Sequence, residues 1–156
     1  MSAAPLAPRA ADLADIPQLA ALRADFLAEL GYAFDPALCR RETAAFLRLR
    51  LGQAIHCLVA EAQGEVIACA FLLVQPRLYH PLAARGMAGE VLNMYTKPAH
   101  RGQGHAARLM EAVIAAARQL GLDALHLKTT RAGRALYGHL GFAEDGGPNA
   151  PMTLKL

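Results

Sequence analysis

The sequence predicts a single α/β domain built on one mixed sheet, in the order β-α-α-β-β-β-α-β-α-β-β. Three observations carry this expectation. Apolar residues recur at helical spacing in two N-terminal segments and again between Gly102 and Leu120. Two apolar, β-compatible runs flank Gln63-Gly64 and mark an antiparallel hairpin. A further strand-like run, Val91 to Tyr95, leads through a glycine-bearing loop into the third helical pattern, the start of a β-loop-α unit. A hairpin beside such a unit calls for antiparallel and parallel pairs in one sheet.

Each element has a local reason. Leu6 to Arg9 is a short first strand. Asp12 then caps a helix whose apolar positions Leu13, Ile16, Leu19, Leu22, Phe26 and Leu30 keep helical spacing until Gly31. Asp35-Pro36 combines a cap with a first-turn proline, and Leu38, Phe46 and Leu49 carry a second helix to Gly52. Ile55 to Ala62 and Val66 to Val74 form the hairpin. A two-residue turn at Gln63-Gly64 pairs Leu58 with Cys69, which sets Cys57 and Cys69 on opposite faces and argues against a disulfide. Pro76 to Gly89 connects to a strand from Glu90 to Tyr95. After the third helix, Ala124 to Lys128 is a strand and Gly133 to Leu140 a short helix. Phe142 onward and Met152 to Leu156 are read as two last strands.

Composition sets bounds. At 156 residues one core is expected, large enough to bury roughly two-thirds of the unfolded surface. Hydrophobic residues make up 54% and charged ones 19%, which excludes a disordered chain; the longest apolar run, Ile67 to Val74, is too short to span a bilayer. No secretory signal stands at the N-terminus, so a cytoplasmic location without membrane attachment is expected. The net charge of +3, with aromatics at 6% and no dense basic cluster, gives no platform for nucleic acid. Cys39, Cys57 and Cys69 show no zinc-like or redox-like pairing and read as small core residues. The six histidines have no Cys, Asp or Glu at ligand spacing, so no metal is expected.

The most informative stretch is Lys97-Pro98-Ala99-His100-Arg101-Gly102-Gln103-Gly104-His105-Ala106-Ala107-Arg108. It places backbone N–H groups at a helix N-terminus, and Gly102 and Gly104 let an anionic ligand approach the main chain. A phosphate or pyrophosphate fits there, with Arg101 and Arg108 at hand to offset its charge. His105 is read as a solvated loop histidine near that anion. The arrangement Arg101, Gly104, Ala106 resembles the acyl-CoA pyrophosphate loop of the GNAT acetyltransferase superfamily, and Gly133 to Phe142 resembles its A-x-x-L-Y-x-x-x-G-F segment.

This resemblance implies the GNAT fold and an N-acetyltransferase that moves an acetyl group from acetyl-CoA to a small-molecule or peptide amine by direct attack. It implies that Arg101, Gly102, Gln103, Gly104, His105, Ala106 and Ala107 hold the coenzyme diphosphate. Met94, Tyr95 and Thr96 correspond to strand residues whose backbone pairs with the pantetheine arm. Tyr137 corresponds to the phenol that protonates the departing thiolate, and Glu90, eleven residues before Arg101, to a general-base glutamate of histone-type branches. Many members carry an asparagine that contacts the coenzyme seven residues before the tyrosine; Thr130 stands there instead. Tyr32, Arg77, Tyr79 and His80 are candidates to line the acceptor side. His126, on a strand, faces either solvent or the cleft. Dimers are common in the family.

Two other readings compete. A domain that binds acyl-CoA as a sensor without turnover would carry the same loop, although binding alone does not need Tyr137. Gly102-x-Gly104-x-x-Ala107 with Asp123 also fits a loose dinucleotide fingerprint, which would make the chain an oxidoreductase. That fold needs a run of parallel βα units, and this chain has one further helix and a hairpin.

Overall fold

The computed structural model describes residues 6–146 and 152–155. Its strands are β1 (Arg9–Ala10), β2 (Ile55–Ala62), β3 (Glu65–Pro76), β4 (Met87–Thr96) and β5 (Ala124–Leu127), and its helices are α1 (Ile16–Glu29), α2 (Pro36–Arg50), α3 (His105–Gln119) and α4 (Arg134–His139). The strands form one sheet in the order β1-β2-β3-β4-β5, antiparallel throughout except for the parallel pair β4–β5. The mixed α/β architecture is therefore the one the sequence predicts.

The caps anticipated from sequence are in place. Asp12 accepts from the Ala14 amide, and Asp15 accepts in return from the Asp12 amide, so two orphan donors ahead of α1 are satisfied. Asp35 accepts from Ala37 and Leu38 at the start of α2, with Pro36 in the first turn. Asp15 also takes two bonds from Arg9, at 2.8 and 2.9 Å, while Arg9 reaches Glu61 as well. The Arg9 guanidinium holds the buried Asp15 carboxyl below the usual carboxylate range.

Two cores lie on the two faces of the sheet. Ile16, Leu19 and Leu22 of α1 and Leu47 of α2 pack on Cys57, Val59, Cys69, Phe71 and Tyr95. On the other face Leu109, Met110 and Val113 of α3 pack on Leu58, Ile67, Leu72 and Val91. The alternation of β2 and β3 thus feeds both layers, which is why these strands read as nearly continuous apolar runs.

Two β-bulges correct the expected register. At the hairpin the ladder slips between Ala60 and Glu61, so Ala60 opposes Ala68 and Val59 opposes Cys69. The extra residue is Ile67, which joins Ala68 on the α3 face. Cys69 therefore moves one position relative to β2, and Cys57 and Cys69 lie on the same face, both as free thiols in the α1/α2 core. The second bulge, opposite Cys69 and Phe71, is centred on Asn93 of β4, which takes φ +52. It sends Leu92 and Asn93 to the same side of the sheet.

Boundaries differ in places. β1 is Arg9–Ala10 rather than Leu6 to Arg9, and α3 begins at His105, because Gly102 and Gly104 sit at φ +71 and +81, outside helical space. The two last strands do not form among the described residues: 142–146 and 152–155 are irregular. Met152 and Leu154 are 95% and 82% exposed, so the alternation there buries neither face and nothing fixes a strand register. The remaining part of that expectation, on 147–151 and 156, lies outside the described residues. No helix among the described residues is long and apolar enough to cross a membrane.

Candidate active site

β4 and β5 pair only from Ala88↔Ala124 to Val91↔Leu127. Beyond that row the strands part, and the gap opens into a cleft of about 680 Å³. Asn93, Met94, Tyr95 and Thr96 form one wall, Leu127, Lys128 and Thr130 the other. Gly102, Gly104, His105, Ala106 and Ala107 close one end, Gly133, Leu136 and Tyr137 the other, and Phe26 and Glu29 of α1, with Leu30 just after it, also line the cleft.

The loop end is chemically distinctive. The first intrahelical bond of α3 runs from the Arg108 amide to the Gly104 carbonyl, at 3.2 Å. The six preceding amides, from Gly102 to Ala107, have no intramolecular acceptor among the described residues. Each is a donor that needs a partner, and they sit where the helix dipole favours an anion. Gly104 enters the helix in the left-handed region, at φ +81, a conformation that glycine adopts without steric cost. Such a run of donors beside a cleft fits a diphosphate.

The charges around the loop are arranged differently from the sequence expectation. Arg101 bonds Glu29 at 2.6 Å and the Thr96 carbonyl at 2.9 Å, and its guanidinium lies 5.5 Å from the Tyr95 ring centroid. Arg101 lines the cleft, and these contacts tie it to α1 and β4, so it also clamps the loop to the sheet. Glu29 is a partner 72 residues away that no local pattern signals. Arg108 is exposed and is not among the cleft-lining residues.

His105 also differs. It is 3% exposed, not solvated, and neither ring nitrogen has a partner among the described residues. As the first residue of α3 it faces the interior. Burial, aided by His100, pushes its pKa down, so the ring is neutral near pH 7. Gln103 is in the loop but outside the cleft lining.

Tyr137 lines the cleft from α4, and burial pushes its phenol up from the ordinary tyrosine value, so it is protonated at neutral pH. Its ring meets Phe142 edge-on, centroids 5.9 Å apart. Gly133 is needed beneath it: a Cβ there would stand 3.0 Å from the Tyr137 Cε2 atom. Tyr95 lies in the α1/α2 core with Phe26 edge-on at 6.2 Å. Thr130 accepts from the Gly133 amide through Oγ1 at 3.3 Å, so its hydroxyl shapes the turn before α4 as well as lining the cleft.

The other expected residues are not brought to the cleft lining. Glu90 sits one row before the strands part, half-buried. Tyr32 is 64% and Tyr79 76% exposed, and Arg77 and His80 are exposed on the connection between β3 and β4. Sequence reasoning missed Asn93, 3% exposed. It accepts from Arg23 at 3.2 Å and donates to the Cys69 sulfur at 3.5 Å. A lone amide inside the apolar run from Val91 to Tyr95 is the signal that points to it. No cluster of histidine, cysteine or carboxylate side chains that could hold a metal occurs among the described residues.

A β4-loop-α3 unit with free amides, a split parallel pair and a phenol across the gap are the features by which this α/β fold is classed with the acetyltransferases. The family described as acetyltransferase (GNAT) domain matches residues 53–144, and the chain belongs to that family. It is 37% identical over 109 residues to an "IAA acetyltransferase" of Azospirillum brasilense, covering 65% of each chain. It is 34% identical over 95 residues, 61% of this chain, to an "Amino-acid acetyltransferase" of Pseudomonas putida. The chain spans 65% and 20% of the lengths of these two curated relatives. Among solved structures, a predicted acetyltransferase with acetyl-CoA from Clostridium acetobutylicum matches with TM-score 0.81 and 24% identity, over 92% of this chain and 94% of the other. A GCN5-related N-acetyltransferase from Ralstonia eutropha matches with TM-score 0.74 and 23% identity, over 93% and 97%. At these identities the structural likeness is one of fold.

Proposed function

We propose that this protein is an N-acetyltransferase that moves an acetyl group from acetyl-CoA to a primary amine by direct attack in a ternary complex. The observation that carries this reading is the run of unpaired amides from Gly102 to Ala107, at the end of a cleft made by two parting strands. The diphosphate is held by those amides, and the pantetheine arm lies along Met94, Tyr95 and Thr96, whose strand has lost its β5 partner there. Bound acetyl-CoA supplies an activated thioester.

The chain's own residues do the rest. A backbone N–H of the parted stretch of β4 faces the thioester oxygen and stabilises the charge that develops on it. Tyr137, kept protonated by burial, gives its proton to the departing sulfur; a phenol of ordinary pKa ~10 does so only as a positioned donor. Direct transfer is favoured over an acyl-enzyme because no cysteine lines the cleft among the described residues, and burial raises the pKa of both Cys57 and Cys69.

The test is release of free thiol from acetyl-CoA against a panel of amino acids, polyamines, aminoglycosides and peptides with free α-amines or lysines. Alongside it, acetyl-CoA at ~100 times its dissociation constant should stabilise the fold by about 2.7 kcal/mol. Stabilisation without thiol release from any amine would leave an acyl-CoA-binding sensor as the reading. No stabilisation at all would remove the loop assignment.

A further inference from the structure

Among the lysines and arginines of the described residues, only Arg9, Arg23 and Lys97 are partly buried; the others are exposed. Two of the three have anions: Arg9 is held by Asp15 and Glu61, and Lys97 by Glu65. Arg23 has no carboxylate at ion-pair distance among the described residues. Its contacts are a hydrogen bond from Nη1 to Asn93 Oδ1 at 3.2 Å and the Phe26 ring, whose centroid lies 5.9 Å from Cζ. Farther along α1, Glu29 is taken by Arg101, and Asp25 is exposed. A guanidinium is always charged and carries five N–H donors, so one neutral acceptor leaves most of its capacity unmatched. A cation half withdrawn from water calls for an anion.

The position of Arg23 shows which anion it is built for. Three contacts run in register along α1: Arg23 meets Asn93, Phe26 meets Tyr95, and Glu29 meets Arg101. The helix thus follows the parted stretch of β4 from its middle to the glycine loop. With the diphosphate at that loop and the pantetheine arm along Thr96, Tyr95 and Met94, the acetyl group comes next, beside Asn93. Asn93 lines the cleft, and both ends of its amide are fixed, since Nδ2 donates to the Cys69 sulfur at 3.5 Å while Oδ1 accepts from Arg23. Arg23 therefore stands one hydrogen bond from the cleft wall, on the α1 side.

Resting on the transferase reading above, we propose that Arg23 binds a carboxylate of the acceptor, which makes the acceptor a free α-amino acid. A carboxylate takes two parallel bonds from a guanidinium, which fixes its distance and its plane. In an α-amino acid a single carbon joins that group to the amine. Anchoring the carboxylate beside Asn93 leaves the nitrogen close to the acetyl end of the arm. Polyamines and aminoglycosides bring no such anion, and at a peptide N-terminus the neighbouring carboxyl is already an amide. Arg23 selects the acceptor and takes no part in moving protons, so its contribution falls on KM more than on kcat.

Matched acceptors test the subsite. Phenylalanine and phenethylamine, or leucine and isopentylamine, differ by the carboxylate alone, and thiol release from acetyl-CoA is followed with each. The wild type should favour the better amino acid over its decarboxylated partner by ~10-fold or more in kcat/KM. Arg23→Gln, which keeps a donor for Asn93, should abolish that preference through a rise of ~10-fold or more in KM for the amino acid, with acetyl-CoA affinity and melting temperature held. Equal use of both members by the wild type, or an equal loss for both in the variant, overturns the proposal. A second readout needs no turnover: with coenzyme A present, the Arg23 Nε–Hε resonance is titrated with each common amino acid and with the decarboxylated amines. It should shift with an amino acid and stay in place with its amine; no shift with any amino acid, or the same shift with both members, overturns the subsite. Thiol release with none of the amines is a separate result that withdraws the transferase reading, whereas the resonance answers for Arg23 alone.

Discussion

His105→Leu tests the electrostatics of the loop most directly. The wild-type ring is 3% exposed with both nitrogens unpaired, so the fold carries a desolvation penalty that costs about 1–3 kcal/mol for an unsatisfied buried polar group. Leucine occupies a similar space without polar atoms. The variant should therefore be as stable as the wild type at pH 7.5 or more stable by about 1 kcal/mol, a rise of roughly 2–4 °C in melting temperature. Acid adds a second signature. In the unfolded chain a histidine takes up its proton near pH ~6.5, whereas burial, with His100 beside it, keeps the folded ring neutral to lower pH. Between those two points the unfolded state binds more protons, so wild-type stability falls as pH drops below ~6.5 and levels off only when the folded ring titrates. The slope is at most one proton's worth, about 1.4 kcal/mol per pH unit. The Leu variant lacks this term, and its advantage should widen between pH 7 and pH 5 in urea titrations followed by circular dichroism. A variant less stable by more than 1 kcal/mol at pH 7.5, or an advantage that stays constant with pH, would refute the reasoning.

Tyr137→Phe should lower turnover by ~10²-fold or more with little change in acetyl-CoA affinity; an unchanged rate, where chemistry is limiting, would remove the phenol from the reaction. Gly89→Ala places a methyl within 2.7 Å of carbons of Leu125 and Leu72 and 2.9 Å of Leu122, and should cost about 1–3 kcal/mol in chemical denaturation. A thiol reagent at pH 8 should label Cys39 alone in the native protein, since Cys57 and Cys69 are buried and the Cys69 thiol is pushed up to about 12. Rapid native labelling of all three would contradict the packing.

Much of the fold was legible because its signals are local. Asp12, Asp35 and Pro36 announce helix starts through groups within three residues of the cap, and Gln63-Gly64 announces the hairpin through its own backbone preferences. The loop from Arg101 to Ala107 was legible for the same reason, since its glycines and the helix after it are read from consecutive residues. The relative position of Cys57 and Cys69 was not. It depends on a bulge that inserts Ile67 on β3, and that choice reflects which side chains best fill the layer under α3.

The sequence by itself determined the three long helices, the hairpin, the caps and the glycine loop ahead of α3, because each follows from the conformational preferences of consecutive residues. Only the tertiary structure decided that Arg101 clamps Glu29, that His105 is buried, that Asn93 bends β4, and that Glu90 and His126 share a row where the sheet splits. Those outcomes join residues 36 to 72 positions apart or hang on how a core fills. No local preference encodes them; they arise when burial of both sheet faces selects one packing over the others.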